Sequence, residues 1–120
     1  MIKVIGLAKR KAGMSREDFI EYYNTRHAKN LGEPAMRACG GVRYCRRFVQ
    51  PLSHPATGAA AHDDFDVVVE FWFKDEAGMK RALSYMDGEM KEEFLADERN
   101  FLDLSSLRAL IVTQEDESEM

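Results

Sequence analysis

An α+β fold with the element order β-α-β-β-α-β is what this chain predicts. Three observations carry it. Residues 65–74, FDVVVEFWFK, alternate with period two, as a strand does. Two other stretches repeat apolar residues at helical spacing. Glycine and proline punctuation cuts the remainder into three further strand-length runs.

The chain has 120 residues, enough for one domain with a core of its own. Residues 1–114 read as that domain and residues 115–120, EDESEM, as an acidic tail. Hydrophobic residues make up 45% and charged residues 32%, which excludes a disordered chain. A net charge of −4 argues against nucleic acid, whose phosphates need a basic footprint. No apolar run reaches membrane-spanning length and no signal peptide is visible, so no membrane partner and a cytoplasmic location are expected. Cys39 and Cys45 then read as reduced structural thiols. The histidines, His27, His54 and His62, are scattered without metal-ligand spacing, so no metal is expected.

The first strand covers residues 2–8, with Ile2, Val4, Gly6 and Ala8 on one face. Ser15 opens a helix, with Asp18 three residues on in a capping-box arrangement. Phe19, Tyr23, His27 and Leu31 recur every four residues as its sheet-facing stripe, and Gly32 and Pro34 are expected to close it. His27 lies inside the apolar stripe rather than on the solvent side. Residues 42–50 read as the second strand, with Val42, Tyr44, Arg46, Phe48 and Gln50 on one face. Residues 51–64 form a long connection containing His54, the alanines 59–61 and His62. It is either a tolerated surface insertion or a binding loop.

In the strand at 65–74, Phe65, Val67, Val69, Phe71 and Phe73 form a wholly apolar core face. Asp66, Val68, Glu70, Trp72 and Lys74 form a mixed face, expected to line something enclosed. Asp75 caps the next helix, whose stripe is Met79, Ala82, Leu83 and Met86, with an interruption at Asp87-Gly88. A further helical stretch puts Met90, Phe94, Asp97, Glu98 and Phe101 on one face, an unusual place for an acidic pair. Residues 104–113 make the last strand. This order is the ferredoxin-like one: a four-stranded antiparallel sheet with helices on one face. The other face would carry Val42, Tyr44, Phe48, Val68, Trp72, Leu110 and Val112, too apolar for open solvent. A second copy of the chain is the economical cover, which predicts a homodimeric α+β barrel.

The first strand followed by KRKAGMSREDFIEYYNTRHA, then FDVVVEFWF, then DERNFLD, resembles the EthD-like family of the dimeric α+β barrel superfamily. The resemblance implies a small apolar or aromatic carbonyl ligand in a barrel cavity. It implies cofactor-independent proton-transfer chemistry, whether isomerisation, cyclisation or oxygenation. The family's histidine after the first helix matches His27, its strand acids match Asp66 and Glu70, and its acidic pair before an aromatic matches Asp97, Glu98 and Phe101. Many relatives carry His-x-Pro, where this chain has His27-Ala28-Lys29.

Candidate catalytic residues are therefore His27, Glu70 and Asp66. An imidazole titrates near neutrality and a carboxylate would orient it, the partner being Glu70, Asp66, Asp97 or Glu98. The alternative is a core histidine held by a structural group. Asp66 and Glu70 are roughly 13 Å apart along the strand, too far to share one proton. Glu70 could equally pair with Arg46 or Arg108. Candidate ligand contacts are Tyr44, Arg46, Trp72 and Tyr23, with core or interface packing as the alternative for the aromatics. Asp97 and Glu98 read as structural groups that hold His27 or Lys29. A non-enzymatic dimeric binding or accessory protein is the competing reading.

Overall fold

The structure, a computed structural model, describes residues 1–58 and 65–120. The alanines 59–61 and His62 lie outside the described residues. Four strands, β1 (Ile2–Arg10), β2 (Gly41–Phe48), β3 (Val67–Phe73) and β4 (Leu102–Ile111), form one sheet in the order β2-β3-β1-β4. Every neighbouring pair is antiparallel. The helices α1 (Arg16–Tyr22), α2 (Glu33–Ala38), α3 (Glu76–Ser84) and α4 (Lys91–Glu98) lie between the strands in the chain. The fold is ferredoxin-like, as the element order requires.

Local chemistry sets the helix starts. The Ser15 side chain accepts from the Asp18 backbone N–H at 3.1 Å, and Asp75 accepts from that of Gly78 at 2.8 Å. The first helix does not close at Gly32 and Pro34. It passes from α1 into a π-helical segment (Tyr23–Gly32) and on into α2, where Pro34 falls in the first turn and gives up no needed hydrogen bond. The wider π turn also re-aims the buried face. Phe19, Tyr23 and His27 are buried at the expected spacing of four, but after His27 and Ala28 the buried face resumes at Gly32, five on from His27, rather than at Leu31. A second π-helical segment (Tyr85–Glu89) stands at the expected interruption before α4. Leu83, placed in the stripe of α3, is instead exposed.

The register corrects one face assignment. Tyr44 pairs with Phe71 and Phe48 with Val67, which turns Tyr44 and Phe48 toward the helices, not to the helix-free face. A shift in pairing between Gly41 and Arg43 sets this phase. Two apolar clusters then fill the space between helices and sheet. One is built on Phe19, Tyr23, Val67, Val69 and Phe101, the other on Met36, Cys39, Phe73 and Ala82. Phe101 is fully buried and touches the rings of Phe19, Tyr22, Tyr23 and His27 at centroid distances of 4.9–6.0 Å. Replacing Phe101 by Ala is expected to cost about 3–5 kcal/mol of unfolding free energy, read from urea denaturation. A loss under 1 kcal/mol would contradict its central place.

Candidate functional site

Where the two clusters meet they leave a cavity of ≈ 190 Å³ between the helices and the sheet. Small side chains create it. Gly6, Ala8 and Ala109 face it from the sheet, and Gly32, Ala35 and Ala82 from the helices, where larger residues would close the gap. Tyr44 and Phe71 make one wall, stacked at 5.4 Å between centroids. Leu107, Arg108 and Ala109, all exposed on β4, form the open side.

Among these walls His27 and Glu98 are the groups that can exchange a proton near neutral pH. His27 stands in the π-helical segment, 6% exposed, with its ring edged by Tyr23, Phe94 and Phe101. Its Nδ1 lies 2.8 Å from Asp97 Oδ2. The other oxygen of Asp97 accepts from the Tyr22 hydroxyl at 2.6 Å, and Tyr22 in turn accepts from Asn100 Nδ2 at 2.9 Å. With both Asp97 oxygens engaged as acceptors, Nδ1 of the neutral ring carries the proton and Nε2 keeps its lone pair. Nε2 has no hydrogen-bond partner among the described residues. Burial pulls the His27 pKa below its ordinary value, Asp97 opposes that shift, and the charge of Arg46 adds to it.

Glu98 follows Asp97 on α4 and also faces the cavity. Its carboxyl group makes no hydrogen bond or ion pair among the described residues. Burial, with the neighbouring Asp97 charge, pushes it up to about 7. Burial likewise raises Tyr44 to about 12 and lifts Tyr23 well above its usual value, so both phenols stay protonated donors. Their hydroxyls pair with one another. A Cβ on Gly32 would meet the Tyr44 hydroxyl at 2.6 Å, so only glycine lets that ring stand where it does.

The structure separates the other candidates from His27. Glu70 and Trp72 project from the helix-free face of β3, because residues 69 and 71 take the helix side. Glu70 is paired with Arg47 at 2.6 Å and Arg43 at 4.0 Å, rather than with Arg46 or Arg108. Trp72 lies under Lys3 and Arg43 at 4.1 and 4.8 Å. Asp66 accepts from the Arg10 backbone N–H at 2.8 Å and sits 3.6 Å from the Arg16 guanidinium, tying the start of β3 to α1. The expected single wall of Asp66, Glu70 and Trp72 meeting His27 is therefore not formed. Arg46 is on the helix side, but its Nε donates to Asn24 at 2.8 Å and its guanidinium covers the Tyr44 ring. Tyr23, Tyr44 and His27 do come together. Glu98 is the residue that sequence reasoning undervalued; its signal was an acid in an apolar helical stripe. Among the described residues no three His, Cys, Asp or Glu side chains converge as a metal-holding group.

The class is an antiparallel α+β sandwich with an apolar cavity, open on one side, that holds an oriented histidine. The chain belongs to the EthD domain family, whose model matches residues 11–105. Solved structures agree on the fold. An ethyl tert-butyl ether (EthD) family protein from Bacillus halodurans is 18% identical with a TM-score of 0.56, covering 96% of this chain and 99% of its own. An Arabidopsis thaliana protein is 16% identical at 0.56, over 100% and 99%. A dimeric ferredoxin-like protein from an uncultured marine organism is 10% identical at 0.57, over 98% of each chain. No curated protein matches the chain in sequence.

The two titrating groups bias stability in opposite senses. Glu98 holds its proton more tightly folded than unfolded, so its contribution is full below about pH 4.5 and is lost as pH rises through about 7. His27 holds its proton less tightly folded, so its contribution is present above about pH 6.5 and fades as pH falls through its lowered value. Glu98→Gln should therefore gain melting temperature relative to wild type between pH 5 and pH 8. His27→Gln should lose ground over the same interval. Thermal unfolding at the two pH values checks both signs.

Proposed function

We propose that the chain binds a small apolar or aromatic carbonyl compound between its helices and sheet and moves a proton on it. One observation carries this reading. An Asp97-oriented imidazole leaves its Nε2 lone pair unpartnered at an apolar cavity. Such a nitrogen takes a proton from an acidic carbon, and its lowered pKa keeps it unprotonated at neutral pH. Asp97 fixes the ring and balances the imidazolium that forms. Tyr44, a protonated phenol on the cavity wall, is placed to donate to the developing enolate oxygen. Isomerisation, cyclisation and oxygenation of such a compound share this first step.

We also propose that two copies pair through the helix-free sheet face. Leu110 is 52% exposed there, beside Ile5, Val68 and Trp72, a strip that water would leave costly. The dimeric state named for the marine ferredoxin-like protein supports the same arrangement. No described helix is long and apolar enough to cross a membrane, and Cys39 and Cys45 are free thiols, which suits a cytoplasmic dimer.

Deuterium wash-in from D2O at the α-carbon of a panel of cyclic ketones and lactones tests the chemistry. His27→Ala should slow the exchange of an accepted compound by about 10²–10⁴-fold. Asp97→Asn should slow it less while leaving binding intact. Exchange unchanged by His27→Ala would leave a binding protein only. For the assembly, Leu110→Asp should convert a micromolar dimer to monomer in sedimentation velocity; a wild-type monomer refutes the pairing.

A further inference from the structure

The oriented histidine explains how a proton leaves a ligand, but not why a carboxyl group shares the cavity with it. Glu98 is not needed to hold the fold. It bonds to no described side chain, whereas Asp97 beside it bonds to two. An acid in an apolar cavity without a partner carries a solvation cost, and a ligand hydrogen bond would offset it.

The surroundings of Glu98 favour its neutral form. Asp97 adjoins it on α4, Tyr23 of the π-helical segment feels its charge, and His27 of the same segment lines the same cavity. Tyr44 lines the same cavity from β2. From β4, Arg108 pairs with Leu7 and so turns its side chain to the helix-free face, where its Nη1 donates to the carbonyls of Ser105 and Leu107. Two consequences follow for the ligand. No cationic side chain projects into the lining to receive a carboxylate, which favours an uncharged ligand. The volume, ≈ 190 Å³, is a little above the roughly 150 Å³ of an engineered cavity that binds benzene, so the ligand has one ring.

We infer that Glu98 is a second proton-transfer residue, paired with His27 across an uncharged one-ring carbonyl compound. This rests on the proton-transfer reading above. In the step, His27 Nε2 takes the proton of the α-carbon. The C–H electron pair becomes the carbon–carbon double bond, and the carbonyl π pair takes the proton of Glu98. The product is the enol, with His27 protonated and Glu98 ionised. Transfer of one proton from imidazolium to carboxylate, through water at the open side, restores both. One proton is taken and one given, so the cycle needs no oxidant or reductant. The assigned reaction class is tautomerisation of a cyclic ketone or lactone.

Such a pair works while His27 is neutral and Glu98 is protonated. The rate should rise through the lowered pKa of His27 and fall above about pH 7 as Glu98 ionises.

The test measures deuterium wash-in at the α-carbon of cyclohexanone and γ-butyrolactone, with anthrone as the three-ring probe, from pH 5 to pH 9. Benzoate binding is followed by calorimetry. Glu98→Gln, which keeps shape and hydrogen bonding but cannot release a proton, should slow wash-in at least tenfold at pH 6 and abolish the fall above pH 7. Anthrone should exchange no faster than in buffer, and benzoate should not bind. If His27→Ala stops exchange while Glu98→Gln keeps the wild-type rate and profile, this inference is wrong and the histidine reading survives. If wild type accelerates neither one-ring compound, both fail together. Tight benzoate binding, or faster exchange of anthrone, overturns the ligand class. Circular dichroism melts of Glu98→Gln guard against misfolding, and carboxyl carbon NMR of wild type gives a check without turnover. A Glu98 carboxyl titrating near pH 4 overturns the proposal.

Discussion

The bond between His27 and Asp97 joins the two halves of the helical layer. One partner stands in the π-helical segment after β1 and the other near the end of α4, seventy residues later. Between them lies Phe101, which packs on four rings of the same neighbourhood and carries the chain into β4. A neutral histidine buried among aromatics would ordinarily be a packing element with one nitrogen satisfied. Here the satisfied nitrogen is the one turned to α4, which leaves the other at the cavity. Tyr22 and Asn100 extend the arrangement and hold the carboxylate from its far side.

The cavity is a consequence of residue size as much as of topology. A ferredoxin-like sheet with helices on one face usually fills the intervening layer. In this chain small residues oppose one another across it, Gly6 and Ala8 below and Ala35 and Ala82 above, and the gap is wider than their side chains. The π turn contributes directly. It brings Gly32 rather than Leu31 onto the buried face, and the Tyr44 hydroxyl occupies the space that a side chain at 32 would need. One backbone irregularity thus positions both His27 and the tyrosine wall.

The two faces of the sheet divide the charges. On the helix-free face Glu70 is compensated by Arg43 and Arg47, and Trp72 is covered by Lys3 and Arg43. On the helix side Arg46 is tied to Asn24, while Arg108, paired with Leu7, turns to the helix-free face. The cavity is therefore lined by an imidazole and an acid without a cationic side chain of its own. Burial, aided by the charge of Arg46, lowers His27 toward its neutral form, and burial with the Asp97 charge raises Glu98 toward its own, so both neutral forms are populated near pH 7.

Much of this was legible in the order of residues. Period-two alternation in the third strand, the Ser15 and Asp75 caps and the turn glycines dictate the elements, because those signals act over a few neighbours. The stripe Phe19, Tyr23 and His27 places the histidine inward for the same reason. What local signals leave open is which carboxylate it meets. Besides Asp97 and Glu98 on α4, the sequence offers Glu70 and Asp66 on a strand with a core face. Strand phase decides against them, since alternation puts 69 and 71 under the helices and sends 70 and 72 to the other face. The same holds for Tyr44 and Phe48, whose side depends on a one-residue shift of pairing between Gly41 and Arg43. Faces, partners and the void between small residues are properties of distances between elements far apart in the chain, and only the packed sheet and helices set those distances.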